Sequence, residues 1–272
     1  MSDDAESFAE EAPEITEARV ETDGEYIHVY RARMADRDAP VRVRAVAPAV
    51  ADDPDAEAAF RRAVDHWQSA ATHPNVATIL ATGARPRSWV AIAVPAGETL
   101  ENAVPSLPVD QVATVVTDAA EAVRNASLYN THHLALAPAC VHVVPTAEGV
   151  RGVVDEWGVA HAVRSALGAS RVRPYTAPEL LEDPTGGTAA TDVYGLGALA
   201  YYGLTGRPPV VPGPDLESRL QTAEIAPPSQ VDTSLDDALD ASVMQALARD
   251  PGARPRSAYA FGQAFGAACR SH

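Results

Sequence analysis

PYTAPELLEDPTGGTAATDVYGLGALAYYGLTGRPP, from Pro174 to Pro209, is the stretch on which the reading of this chain turns. In its second half Val193, Leu196, Ala200 and Leu204 recur at three- and four-residue spacing, which predicts a helix over Ala189–Leu204. The longest apolar run inside it, Tyr194 to Leu204, is too short to span a bilayer. Ahead of that helix stands an acid preceded by proline, Glu179, and early in the helix itself stands Asp192.

Composition bounds the rest. The chain has 272 residues, enough for one large domain or two smaller lobes. Hydrophobic residues make up 46% and aromatics only 6%, so Ala, Val and Leu must fill the core. The net charge is −16, and all 21 basic residues are arginine. An acidic surface repels phosphate backbones and anionic lipid, which argues against nucleic acid and membrane as partners. Excess acid without lysine is also the surface chemistry of a halophilic, haloarchaeal-type protein; a GC-rich genome favours Arg and Ala codons in the same way, and composition does not separate the two. Cys140 and Cys269 make no disulfide framework and no CxxC site. The acidic start, MSDDAESFAEEAPE, is no signal peptide, so a soluble cytoplasmic protein is expected.

Along the chain, residues 1–18 read as an acidic disordered tail, because the first fifteen carry six acids and no base. Alternating strands are expected over Ile15–Thr22, Tyr26–Met34 and Val41–Val46, with ADRDAP (35–40) as a hairpin turn. A helix is expected over Asp55–Ala71, then strands at Val76–Leu80 and Trp89–Val94. After Pro95 helices dominate: 109–128, Ala189–Leu204, 235–248 and 257–269, with two short strands at Val141–Val144 and Val150–Val154. The pattern predicts a bilobal α+β architecture: a small β-rich lobe with one helix over 19–96 and a larger helical lobe over 97–272.

TAPELL, TDVYGLGALAYYGLTGRPP and ARDPGARPRSAYAFGQAF, in this order and spacing, resemble the large lobe of bacterial-type Ser/Thr protein kinases. HPNVATILATG with WVAIAVPAGETL resembles that family's small-lobe-to-hinge junction, and GEYIHVYRAR…APVRVRAVAP its first three strands. The resemblance implies a protein-kinase-like fold with Mg–ATP as the cofactor. It implies scaffold roles for Glu179 paired with Arg254, for Asp192 holding the loop around His133, and for Gly158. It implies nucleotide contacts from Gly24, Val29, Arg44, the hinge at Ala93 and Pro95, and Glu156, with Glu156 or Asp155 as the residues for metal.

Phosphoryl transfer is mostly positioning plus charge neutralisation, so each lost charge matters. Of the family's three loop glycines only Gly24 is kept; Thr22 and Ile27 stand at the other two positions. Arg44 replaces the strand lysine, and a guanidinium does not substitute for a point ammonium. Ala63 or Val64 stands where a helix glutamate should orient it, with Asp65 turned away around the helix. In HHLALAPACVHV, Ala135 replaces the aspartate base, Ala137 the lysine and Cys140 the metal-binding asparagine. Alanine accepts no proton, so no catalytic residue is assigned. DEWG puts Glu156 in place of the metal-binding aspartate, and Arg171 and Val172 replace the Gly-Thr of the substrate-docking segment. The expectation is a pseudokinase that works as a protein-interaction or allosteric module, binding Mg–ATP weakly or not at all and pairing with a protein partner. The alternative is an atypical ATP-dependent Ser/Thr kinase using Arg44 and Glu156 or Asp155. A third possibility is a structural module whose cleft is filled by Ile27 and Trp157.

Three sharper motifs weigh less. His132, His133, Cys140 and His142 suit zinc chemically but fit no closed zinc spacing. GLGALA at Gly195 is half a dinucleotide fingerprint set inside a helix, where close helix packing is its use. Arg171, Arg173 and Arg207 offer a basic pocket for a phosphorylated or anionic partner, against surface ion pairing as the plain reading.

Overall fold

The computed structural model describes residues 2–36 and 40–272. The centre of the turn read over 35–40, residues 37–39, lies outside the described residues. The chain divides into two compact units: Met1–Thr72, Ala77–Pro95 and Val159–Ala169 form the first, and His73–Val76, Ala96–Gly158 and Ser170–His272 the second. This differs from a simple split at residue 96, since His73–Val76 and Val159–Ala169 each join the unit on the other side of that point.

The first unit holds α1 (Ser2–Glu11), β1 (Ile15–Asp23), β2 (Ile27–Met34), β3 (Pro40–Val46), α2 (Pro54–Ala70), β4 (Ile79–Gly83), β5 (Trp89–Ala93) and, from later in the chain, α5 (Val159–Ala166). The strands make an antiparallel sheet in the order β1-β2-β3-β5-β4. The strand read over Val76–Leu80 begins only at Ile79; Val76 makes a lone bridge to Val154 in the second unit instead. Because side chains alternate along a strand, Val41, Val43 and Ala45 of β3 enter one core, with Tyr30, Ala32, Met34, Trp89 and Ala91. Arg44 points to the opposite face, toward α2. Asp53 starts α2 by accepting hydrogen bonds from the Asp55 and Ala56 amides, and Phe60, Val64 and Trp67 line its buried stripe.

The acidic start is not a disordered tail. Ala5, Phe8 and Ala12 fall on one helical face, all buried, and α1 lies against the core that also contains Ile15 and Tyr30. Six acids do not prevent folding when the apolar stripe has a sheet face to cover. Asp4 is anchored too: Arg87 donates to it at 2.9 Å and the Tyr30 hydroxyl at 2.5 Å. Burial alone would push the Asp4 carboxyl up, but hydrogen bonds from Tyr30, His28 and Arg87, with the Arg87 charge, hold it below its ordinary value. A carboxyl depressed in the folded state contributes stability above its ordinary value of about 3.9, lost as pH falls through the lower folded value. Pepsin at pH 2–4 is therefore expected to begin cutting beside Phe8 at a higher pH than at any core site. Simultaneous cutting at Phe8 and Phe60 would contradict this.

The second unit contains β6 (Glu98–Thr99), α3 (Leu100–Ala103), α4 (Val109–Ser127), β7 (Val141–Thr146), β8 (Gly149–Val154), α6 (Glu179–Glu182), α7 (Ala189–Thr205), α8 (Leu216–Thr222), α9 (Pro228–Val231), α10 (Asp237–Ala246) and α11 (Ala258–Ser271). The strands form a small sheet, β6-β7-β8. Helix α7 is its axis: Val193 to Ala200 are all buried, and the helix packs on α4, α10 and α11. A methyl at Gly197 would lie 2.7 Å from the Ala246 Cβ, so the glycine of GLGALA serves close packing of α7 on α10. Among the described residues no helix is long and apolar enough to cross a membrane.

Candidate functional site

The scaffold residues assemble within the second unit. Asp192, in the first turn of α7, accepts hydrogen bonds from the backbone amides of His133 (2.9 Å) and Leu134 (2.7 Å). Leu134 has φ +60, and the two bonds hold that uncommon turn in place. Burial pushes the Asp192 carboxyl up, against the pull of the neighbouring His133 and of the two amides. His133 is fully buried, and its Nε2 sits 3.0 Å from the Asp155 carbonyl oxygen. Gly158 has φ +67, and a methyl there would lie 2.3 Å from the His133 carbonyl oxygen, so only glycine fits.

Glu179 and Arg254 form a two-pronged pair at 2.7 Å on each arm. Thr191 also donates to Glu179 at 2.8 Å. Burial would raise the Glu179 carboxyl, but Arg254 leads the groups that hold it below its ordinary range.

The chemical positions form a different cluster in the same unit. Ala135, which the resemblance reads as the base position, follows Leu134 on the loop that Asp192 holds. Cys140, buried, donates its thiol hydrogen to Glu156 Oε2 at 3.4 Å. Burial, reinforced by the Glu156 charge, pushes that thiol well above its ordinary value, so it stays protonated. Asp155 is buried and faces His142, with 3.6 Å between Oδ2 and Nε2. Glu156 and Trp157 both have positive φ (72 and 34). Two successive non-glycine residues in that region cost on the order of 1–3 kcal/mol each, and such strain gathers at functional sites.

These groups do not fit Mg–ATP in the family's manner. Mg²⁺ is a hard ion that takes oxygen ligands in near-octahedral array. Here a protonated thiol replaces the expected amide oxygen and ties up one oxygen of Glu156. Among the described residues no three His, Cys, Asp or Glu side chains converge to hold a metal. For the zinc reading, His133 faces the Asp155 carbonyl, His142 the Asp155 carboxylate and Cys140 the Glu156 carboxylate, so the three do not share one point.

Of the nucleotide-side candidates, all but Glu156 lie in the first unit. Val29 and Arg44 are cross-strand partners in the β2–β3 register. The Arg44 guanidinium is buried and lies 6.0 Å from the centre of the Trp67 ring. Ala63 and Val64, one turn earlier on α2, are buried and apolar. On α2, Arg44 thus meets the Trp67 ring, and the positions at which the resemblance implies a glutamate hold Ala63 and Val64. A methyl at Gly24 would lie 2.5 Å from the Ile27 carbonyl oxygen, and Ile27 is buried. Ala93 and Pro95 are half-buried. In the same unit α5 packs on α2, and its Arg164 covers the Tyr26 ring at 5.6 Å. Arg171 and Arg207 are exposed and Arg173 is half-buried.

Sequence reasoning missed three of these features: the Asp4 network, the Cys140–Glu156 bond and the packing of α5. Only the first left a local signal, the Ala5-Phe8-Ala12 spacing.

No protein-family model matches the chain. Among curated relatives, the Ser/Thr-protein kinase PknB of Mycobacterium leprae is 28% identical over 247 residues, covering 85% of this chain and 39% of the relative. PknJ of Mycobacterium tuberculosis, also named a Ser/Thr-protein kinase, is 27% identical, covering 88% of this chain and 43% of its own length. The probable kinase PglW of Streptomyces coelicolor is 31% identical over 52% of this chain and 11% of its own length. The chain therefore spans about two fifths of the first two relatives. Among solved structures, the kinase domain of PknI from Mycobacterium tuberculosis aligns with a TM-score of 0.70 at 22% identity, over 91% of this chain and 92% of that one. The chain has the protein-kinase fold, with a β-sheet lobe and a helical lobe.

Proposed function

We propose that this protein-kinase-like domain is a pseudokinase: a cytoplasmic protein-interaction or allosteric module without efficient phosphoryl transfer. The observation that carries the reading is Ala135 at the base position, on a loop whose scaffold bonds from Asp192 are kept. The protonated Cys140 on Glu156 and the Arg44–Trp67 contact support it, since both engage groups that would otherwise meet metal and phosphate. Positioning and base contributions are each worth about 10²–10⁴ in rate, so their joint loss removes useful turnover. The net charge of −16 favours a protein partner over nucleic acid or membrane.

The names of the curated relatives favour a second reading, an atypical Ser/Thr kinase. Two measurements separate the readings. Thermal melting in high-KCl buffer with millimolar Mg–ATP is expected to shift by less than about 1 °C, since a ligand stabilises only in proportion to its occupancy. Incubation with radiolabelled ATP is expected to give no incorporation that Glu156→Ala abolishes. A saturable rise of several degrees, or label transfer that disappears in Arg44→Ala and Glu156→Ala variants, would replace the pseudokinase reading with the enzyme.

A further inference from the structure

The seat of α1 is built like a receptor site. Tyr30 is fully buried, and Arg87 and His28 are more than nine-tenths buried. All three turn polar atoms onto one carboxylate of α1, Asp4: Tyr30 Oη at 2.5 Å, Arg87 Nη2 at 2.9 Å and His28 Nδ1 at 3.0 Å. The other ring nitrogen of His28 is 2.8 Å from Asp23. One helical turn beyond Asp4, Phe8 stacks on the Tyr30 ring at 4.8 Å and 11°, and the Arg87 guanidinium lies 5.1 Å from the centre of the Phe8 ring. Asp4 and Phe8 are four apart and so share one helix face. Arg87 Nε is buried with no hydrogen-bond partner, so the cationic seat has a donor that Asp4 leaves unused. Around this point the sheet is apolar: Ile15, Ala32, Met34, Val43 and Trp89.

We propose that this sheet face is a docking site for an acidic helix of a partner protein, one carrying Asp or Glu and Phe a turn apart, and that α1 fills it in cis as a built-in competitor. A desolvated arginine is a strong anchor for a carboxylate, and buried Tyr and Arg around an aromatic ring are the residue types that binding hot spots favour. Displacing α1 uncovers a contiguous apolar patch of the kind that marks interaction surfaces. Charge supplies the selectivity. A chain of net charge −16 repels an acidic helix on average, and a buried cationic seat such as this one reverses that locally. The tethered α1 acts at an effective concentration on the order of millimolar, so a partner binds well only where α1 is loosened. The site is independent of phosphoryl transfer, and its test needs no nucleotide.

The probe is a fluorescein-labelled peptide with the sequence of residues 2–13, followed by anisotropy. The full chain carrying Asp4→Asn and Phe8→Ala, its fold checked by circular dichroism, is expected to bind the peptide saturably. The unaltered chain is expected to bind at least tenfold more weakly. Adding Arg87→Ala to the double variant, or placing the two substitutions in the peptide, is expected to abolish binding. Should the double variant fail to fold, a protease site in the Ala12–Glu14 link leaves α1 native until it is cut, and labelled peptide should then exchange into the cut chain. The proposal is overturned if the peptide enters neither the folded variant nor the cut chain. It is also overturned if affinity is equal with α1 intact, or if light scattering shows a dimer made by swapping α1, which would assign the face to a second copy.

Discussion

Replacing Arg254 with alanine is expected to lower folding stability by about 3–5 kcal/mol, the cost of leaving a buried ion-pair partner alone. The arginine side chain is fully buried, and all five of its N–H groups are used. Nε donates to the Ala248 carbonyl, Nη1 to Glu179 and the Ala190 carbonyl, and Nη2 to Glu179 and the Arg249 carbonyl. Its plane also lies 5.0 Å over the Tyr194 ring. Truncation therefore strands a partly buried carboxylate and three carbonyls in one step. Arg254→Lys keeps the charge but loses the fork, so it should fall between wild type and alanine. Urea unfolding at constant ionic strength measures this without the screening that guanidinium adds. A loss under 1 kcal/mol for Arg254→Ala would mean the pair is surface decoration. Because the Glu179 carboxyl is depressed in the folded state, the pair's contribution is present above about pH 4.3 and fades as pH drops through the lower folded value.

Trp67→Ala is expected to cost a similar amount, about 3–5 kcal/mol, by opening a cavity under the first unit's sheet. Trp67 is fully buried on α2, donates its indole N–H to the Ala77 carbonyl at 3.2 Å, and presents its ring to Arg44. Trp67→Phe keeps much of the volume and a π face but leaves the Ala77 carbonyl without its donor, so about 1–3 kcal/mol is expected. The order wild type, Phe, Ala in urea midpoints is the signature. If Phe and Ala were equally damaging, the hydrogen bond would be the main contribution and the packing argument would fail.

Much of the frame could be read directly. Helix α4 and strands β2 and β3 follow apolar periods of 3.6 and 2, a local signal repeated along each element, whereas α7 is legible as an apolar helix that is buried nearly all round. The Glu179–Arg254 pair, 75 residues apart, was legible only through resemblance, since no local pattern joins them. α1 misled because the six acids of the first fifteen residues dominate a compositional reading; what folds it is a sheet face formed by residues far downstream, from Tyr30 to Ala91. The same holds for α5, whose Val159 and Val163 are buried in the first unit although the residues on both sides of it belong to the second.

The amino-acid order alone determined which chemistry is missing: a methyl at position 135 can accept no proton however the chain folds, and arginine at 44 can never shed its charge. Tertiary structure decided what the remaining groups do instead. Arg44 faces an indole, Cys140 gives its hydrogen to Glu156, and Asp4 meets Arg87, because each outcome depends on distances between residues far apart in the chain. Residue identity limits what a group can donate or accept, and packing chooses the neighbour that receives it.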